Sequence, residues 1–151
     1  MTNSKYKIFI SGNLEGLVCT KHDVEELIDE IIKIEPDLNK NFIQKPVNLN
    51  FISKNEIQKL NLRFLNKDKP TNVLSFPSSG VSFDNQILGD IAICSEIIKN
   101  EACDQKKLEQ NHLSHIILHS LLHLSGYDHQ DKNSAEQMES LEVAVLEKLG
   151  I

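Results

Sequence analysis

Four of the chain's six histidines fall within fifteen residues, His115-Ile-Ile-Leu-His119-Ser-Leu-Leu-His123-Leu-Ser-Gly126-Tyr-Asp-His129, and no other stretch restricts the fold as much. His115, His119 and His123 recur every four residues, and the intervening Ile116, Ile117, Leu118, Leu121, Leu122 and Leu124 are apolar. That periodicity predicts a buried helix with one imidazole-lined stripe. Residues eight apart on a helix lie roughly 12 Å apart along its axis, so one metal ion cannot take all three histidines, whereas an adjacent pair fits. Gly126 stands where the helix should end, and a glycine there adopts the left-handed conformation that reverses the chain. Such a turn returns His129 toward the pair. The expected ligand set is therefore His119 and His123 from the helix and His129 from beyond the turn, one zinc ion per chain. Three imidazoles with a fourth position open make a catalytic site, since structural zinc sites are usually closed by four protein ligands. His115 is expected beside the site as a supporting or cleft residue. Asp128 has two readings, a carboxylate that orients a ligand imidazole and a turn residue that satisfies backbone amides.

The spacing H-x3-H-x5-H, with glycine three residues after the second histidine, is also that of the metzincin proteases. Those enzymes follow the first histidine with a glutamate general base, and here that position is Ser120. A metallopeptidase keeps the ligand spacing but lacks its base.

HSLLHLSGYDH, from His119 to His129, resembles the signature H-G-x-L-H-L-x-G-Y-D-H of the bacterial YbeY endoribonucleases. KDKPTNVLSFP, from Lys67 to Pro77, is similar to that family's K-D-x-P-T-D-V-L-S-F-P, and Leu88 to Ile91 matches its L-G-D-I. The three stretches stand in family order, and the resemblance covers roughly residues 45–149. It implies an α/β fold, a small mixed sheet of about four strands surrounded by helices with the histidine helix central. It also implies a zinc-dependent endoribonuclease specific for single strands, acting in ribosomal RNA maturation at the 16S 3′ end and in ribosome quality control. The implied partners are single-stranded ribosomal RNA and the small subunit with its proteins. Zinc would lower the pKa of water and polarise a phosphoryl oxygen. The alternative is a non-catalytic ribosome-assembly factor in which the metal fastens the turn. Two departures bear on that choice. The family usually places an arginine two residues before Lys67, where this chain has Leu65, and its threonine–aspartate becomes Thr71-Asn72.

A chain of 151 residues with 40% hydrophobic and 25% charged content is expected to be one soluble domain, 1–151. No apolar run reaches the eighteen or so residues of a membrane span, and no signal-peptide pattern opens the sequence, so the cytoplasm is expected. Cys19, Cys94 and Cys103 are odd in number, widely spaced and without a C-x-x-C pair. They suggest small buried hydrophobes, neither a disulfide framework nor a thiolate site. A net charge of −6 argues against a protein coated with nucleic acid on all sides. It leaves room for a local basic track: Lys54, Lys59, Arg63, Lys67 and Lys69 outnumber Glu56 and Asp68, while the segment after His129 is strongly acidic. RNA is thus expected on one side, with Arg63, the chain's sole arginine, and Lys67 as its candidate contacts.

Along the chain, Lys5–Ile10 reads as a strand ended by Gly12, and Thr20 as the cap of a helix over 21–34 stopped by Pro36. Pro46–Ser53 is a second strand, and Ser53 with Glu56 forms a capping box for a helix to about Asn66. Ile57, Leu60, Phe64 and Leu65 are expected to face the core from that helix. Val73–Phe76 and Ile87–Cys94 are strands, the latter with Gly89 marking a bulge or a close backbone approach, and Val81–Phe83 a short edge. Asp90 is expected on a turn or strand surface, with a role in the cleft as the alternative. Ser95 caps a helix to about 103, the histidine helix runs from about 106 to 124, and Ser134 opens a last helix whose Met138, Leu141, Val145 and Leu149 pack inward.

Overall fold

Strand register is what sorts the side chains of this protein into two unlike faces. The computed structural model describes residues 5–77, 89–127 and 131–151. In chain order it contains β1 (Ile8–Gly12), α1 (Lys21–Ile34), a 3-10 turn (Pro36–Leu38), α2 (Asn39–Gln44), β2 (Val47–Phe51), α3 (Lys54–Leu65), β3 (Val73–Pro77), β4 (Gly89–Ile93), α4 (Ser95–Asp104), α5 (Glu109–Leu124) and α6 (Lys132–Leu149). The strands form a four-stranded mixed sheet in the order β1-β2-β4-β3, in which β3 alone is antiparallel and lies at the edge. The fold is α/β, as expected.

Val47 pairs with Gly89, Leu49 with Ile91 and Phe51 with Ile93. Because side chains alternate along a strand, these residues share one face with Ile8, and that face meets Val24, Leu27, Ile28 and Ile31 of α1, Leu118 and Leu121 of α5, and Met138 and Val145 of α6. Register puts Phe9, Ser11, Asn48, Asn50, Leu74, Phe76, Asp90 and Ala92 on the other face. Helix α3 covers only the β3–β4 part of it, where Ile57 packs with Leu74, Ala92 and Cys94. Toward β1 and β2 this face is polar, and Phe9 stands 54% exposed on it.

Local signals account for most element ends. Thr20 and Ser53 each accept from the backbone three residues on, and Asp23 and Glu56 close the reciprocal bonds, so α1 and α3 begin at complete capping boxes. Gly89 proves to be a close approach within regular pairing: a Cβ there would lie 2.3 Å from Leu124 Cδ2. Only glycine lets the end of α5 rest on β4 at that point.

Several expectations are corrected. β1 begins later than Lys5 and runs through Gly12, which stays in register with Phe51. Phe64 and Leu65 are each 53% exposed, because Asn61 occupies the inward position one turn after Ile57 and the end of α3 borders an open cleft. Buried Asn61 donates to the carbonyl of Lys69 at 2.9 Å, tying down the loop toward β3. Ser95 is not a cap; it is buried within α4 and donates to the carbonyl of Asn13. Helix α5 starts at Glu109, since Lys106, at φ +56, ends α4 in the left-handed region, with Lys107 N–H bonded to the carbonyl of Ala102. Asp131, not Ser134, caps α6. Cys19 and Cys94 are buried but Cys103 is exposed. The expected edge Val81–Phe83 lies outside the described residues, as do the first two residues of the expected strand Ile87–Cys94.

Candidate functional site

Helix α5 ends as its glycine predicts. Gly126, at φ +106, donates to the carbonyl of His123 at 3.0 Å, and Tyr127 N–H donates to that of Leu122 at 3.2 Å. These are the paired bonds of a Schellman turn. The apolar positions of α5 other than half-buried Ile116 are buried, while His115, His119 and His123 form a half-buried stripe along the edge of the helix that faces β3 and α6.

The ring nitrogens of His119 and His123 converge. Nε2 of His119 lies 3.1 Å from Nε2 of His123, with the rings edge to face at 79°. Their second nitrogens are both engaged. His123 Nδ1 stands 3.0 Å from the carbonyl of Tyr127, an oxygen that only accepts, so Nδ1 carries the hydrogen. His119 Nδ1 donates in a short bond to Oε1 of Glu142 on α6. The other carboxylate oxygen of Glu142 lies 3.4 Å from His115 Nε2. Burial pushes the Glu142 carboxyl up, but the hydrogen bonds and charges of His115 and His119 outweigh it and hold the group at about 2. Glu142 is therefore ionised at neutral pH and accepts from both rings.

This bonding decides the chemistry of the facing nitrogens. With Nδ1–H engaged on each ring, both Nε2 atoms present lone pairs to the same space whenever the rings are neutral. Two lone pairs 3.1 Å apart repel unless a cation lies between them or one ring takes an extra proton. Nitrogens each about 2.0–2.1 Å from a tetrahedral zinc stand about 3.3 Å from one another, so the pair fits two adjacent metal ligands. Partners on the second ring nitrogen that set tautomer and orientation are usual in such sites. Among the described residues no cluster of three His, Cys, Asp or Glu could hold a metal ion. The third expected ligand, His129, and the neighbouring Asp128 lie outside the described residues.

A cleft of about 700 Å³ opens onto this pair, walled by Phe64 and Leu65 of α3, Val73–Pro77 of β3, and Gly126 and Tyr127 of the turn. Leu65 thus occupies the cleft from the position where the resembling family carries an arginine. Arg63 and Lys67 do not line it. Arg63 is exposed on α3 with its guanidinium 5.2 Å from the Phe64 ring centre, and Lys67 is exposed in the loop after α3. Ser120 is fully buried and donates to the carbonyl of Ile116, turned away from the cleft.

Asn72 likewise lies outside the cleft. Its amide donates to Glu101 Oε1 at 3.0 Å, and the same oxygen is 2.9 Å from Nε2 of buried His112. An aspartate there would set one carboxylate against another, so the amide suits this chain's own Glu101.

The family model for endoribonuclease YbeY matches residues 12–150. The chain belongs to the YbeY endoribonuclease family. Endoribonuclease YbeY of Francisella tularensis subsp. novicida (strain U112) is 51% identical over 110 residues, 70% of this chain and 68% of that protein. The YbeY of F. tularensis subsp. tularensis (strain WY96-3418) is 50% identical over the same shares. The solution structure of TM1509 from Thermotoga maritima superposes with a TM-score of 0.57, at 28% identity, over 94% of this chain and 91% of that one. Among the described residues no helix is long and apolar enough to cross a membrane.

One participant escaped the sequence reading. Glu142 was one acid among many in α6, yet it stands four residues after Met138 and three before Val145, both buried. A carboxylate inside an apolar stripe is the signal that marks it.

Proposed function

We propose that the protein is a zinc-dependent endoribonuclease specific for single-stranded RNA, acting in the cytoplasm on ribosomal RNA during small-subunit maturation and quality control. What supports this most is the convergence of His119 and His123 Nε2, 3.1 Å apart, on a cleft of about 700 Å³, in a chain of this family. His119, His123 and His129 would hold the ion. Zinc, when bound, supplies a Lewis acid that activates water and offsets phosphoryl charge. The chain's own residues do the rest. Glu142 and the Tyr127 carbonyl keep both rings in the tautomer that directs Nε2 into the cleft. Phe64, Leu65 and Phe76 give the cleft an apolar wall. Arg63 and Lys67, outside it, would hold flanking phosphates, and binding would weaken with salt. The attacking group is either water or the ribose 2′-hydroxyl.

A second reading, an assembly factor with a structural metal, is favoured by one observation: Leu65 brings no charge to the cleft. Peptidase chemistry has no such support, since Ser120 is buried away from the pair. The deciding experiment offers a single-stranded ribosomal RNA fragment to the zinc-loaded protein and to its His119→Ala variant, with bound metal quantified in both. Cleavage lost together with metal is the expected result. A native protein that carries metal and binds the RNA, yet cuts nothing the variant does not also cut, would establish the assembly-factor reading.

A further inference from the structure

The histidine cleft is not closed at Phe64 and Phe76. These two rings, 5.1 Å apart and tilted, also wall a second cavity of about 560 Å³ on the opposite, polar face of the sheet. The two cavities therefore share this aromatic wall. The second has an amphipathic build: Ile52, Leu60 and the two phenylalanines on one side, Ser11, Asn50 and Asp90 on the other.

Asn50 on β2 and Asp90 on β4 are diagonal neighbours on this face, since Asn48 pairs with Asp90 and Asn50 with Ala92. Asn50 Oδ1 accepts from Ser11 at 2.6 Å, and Asp90 Oδ1 accepts from Asn48 at 2.9 Å. Among the described residues neither the Asn50 amide hydrogens nor Asp90 Oδ2 has a partner. A donor and an acceptor thus stand side by side at the polar end of an aromatic-walled slot.

We propose that this slot is a subsite for one unpaired nucleobase of the RNA whose phosphate lies in the histidine cleft. The inference rests on the endoribonuclease reading and supplies its selectivity. Every base offers an adjacent acceptor and donor on its pairing edge only when that edge is unpaired, and every base has a face for an aromatic ring. Among the described residues no Lys or Arg lines the cavity, which suits a base better than a phosphate. The backbone would pass outside, where Arg63 stands over Phe64. A base paired in a duplex is denied both the stack and the Asn50–Asp90 contacts.

The test uses the full chain and a ten-nucleotide single-stranded RNA read by fluorescence anisotropy at fixed salt, beside the same strand annealed to its complement. A set of strands with one abasic nucleotide at each position in turn completes it. Phe64→Ala and Asn50→Ala are each expected to weaken single-strand binding about tenfold and to narrow the preference over duplex. In the native protein one abasic position should cost as much, and in Phe64→Ala that same position should cost nothing further. Undiminished affinity in both variants overturns the subsite while leaving the endoribonuclease reading intact, and assigns this face to another partner such as a protein. A native protein that fails to bind the strand at all would overturn the endoribonuclease reading itself.

Discussion

His119 on α5 and Glu142 on α6 are joined by a short hydrogen bond from Nδ1 to the carboxylate, and His115 shares the same carboxylate. Twenty-three residues of chain separate the pair, so the orientation of one helix's imidazole depends on the docking of another helix. Glu142→Gln should therefore weaken zinc binding about tenfold to a hundredfold. Competition with a chelating dye measures this without any RNA. Unaltered zinc affinity would reduce Glu142 to a packing residue.

The histidines should sort by role. His119→Ala, His123→Ala and His129→Ala are expected to lose bound metal, whereas His115→Ala, which reaches the site only through Glu142, should retain it. Elemental analysis of the purified variants reads the outcome, and equal loss in all four would mean that the trio is wrongly drawn.

Leu65 lines the cleft from the end of α3, with more than half of its surface exposed. Leu65→Arg adds a cation there without removing a core contact. The expected result is tighter single-strand RNA binding, with a log–log salt slope steeper by about 0.7 for the one added phosphate contact. An unchanged slope would show that the strand does not run past this position.

Tyr6 predicts an alkaline limit to stability. Its ring is buried and its hydroxyl donates to Asp29 at 2.5 Å. Burial first, and then that hydrogen bond and the Asp29 charge, push the phenol well above its ordinary value of 10.0. A group whose folded pKa is raised contributes fully below its unfolded pKa and loses that contribution as pH climbs toward the folded one. The native protein should thus lose melting temperature above about pH 10. Tyr6→Phe should be less stable by about 1 kcal/mol at neutral pH and should decline less steeply in alkali. Thermal denaturation at stepped pH compares the two slopes.

Much of this protein was legible along the chain because the signals are local. The capping boxes at Thr20 and Ser53, the alternation of Val47, Leu49 and Phe51, and the glycine after His123 each involve residues within a few positions of one another. The i, i+4 spacing of His119 and His123 was enough to bring their rings together on one helix. Misreadings arose where a distant element won. Phe64 has the helical spacing of a core residue but meets only the edge strand, at Phe76, and stays half exposed. Ser95 has the chemistry of a cap but is drawn inward to the carbonyl of Asn13, 82 residues away in sequence.

By itself, then, the sequence determined the helix with its imidazole stripe, the turn that ends it, and the family's α/β plan. The first two follow from periodicity and backbone preference, which act within a turn or two of chain, and the α/β plan follows from the resemblance of the three motifs to the family. Only the tertiary structure decided which carboxylate of α6 meets His119, which residue of α3 enters the cleft, and that Asn50 and Asp90 stand side by side on an open sheet face. Each of these joins residues from different elements, whose positions are set by strand register and helix docking. No spacing along the chain encodes such a meeting.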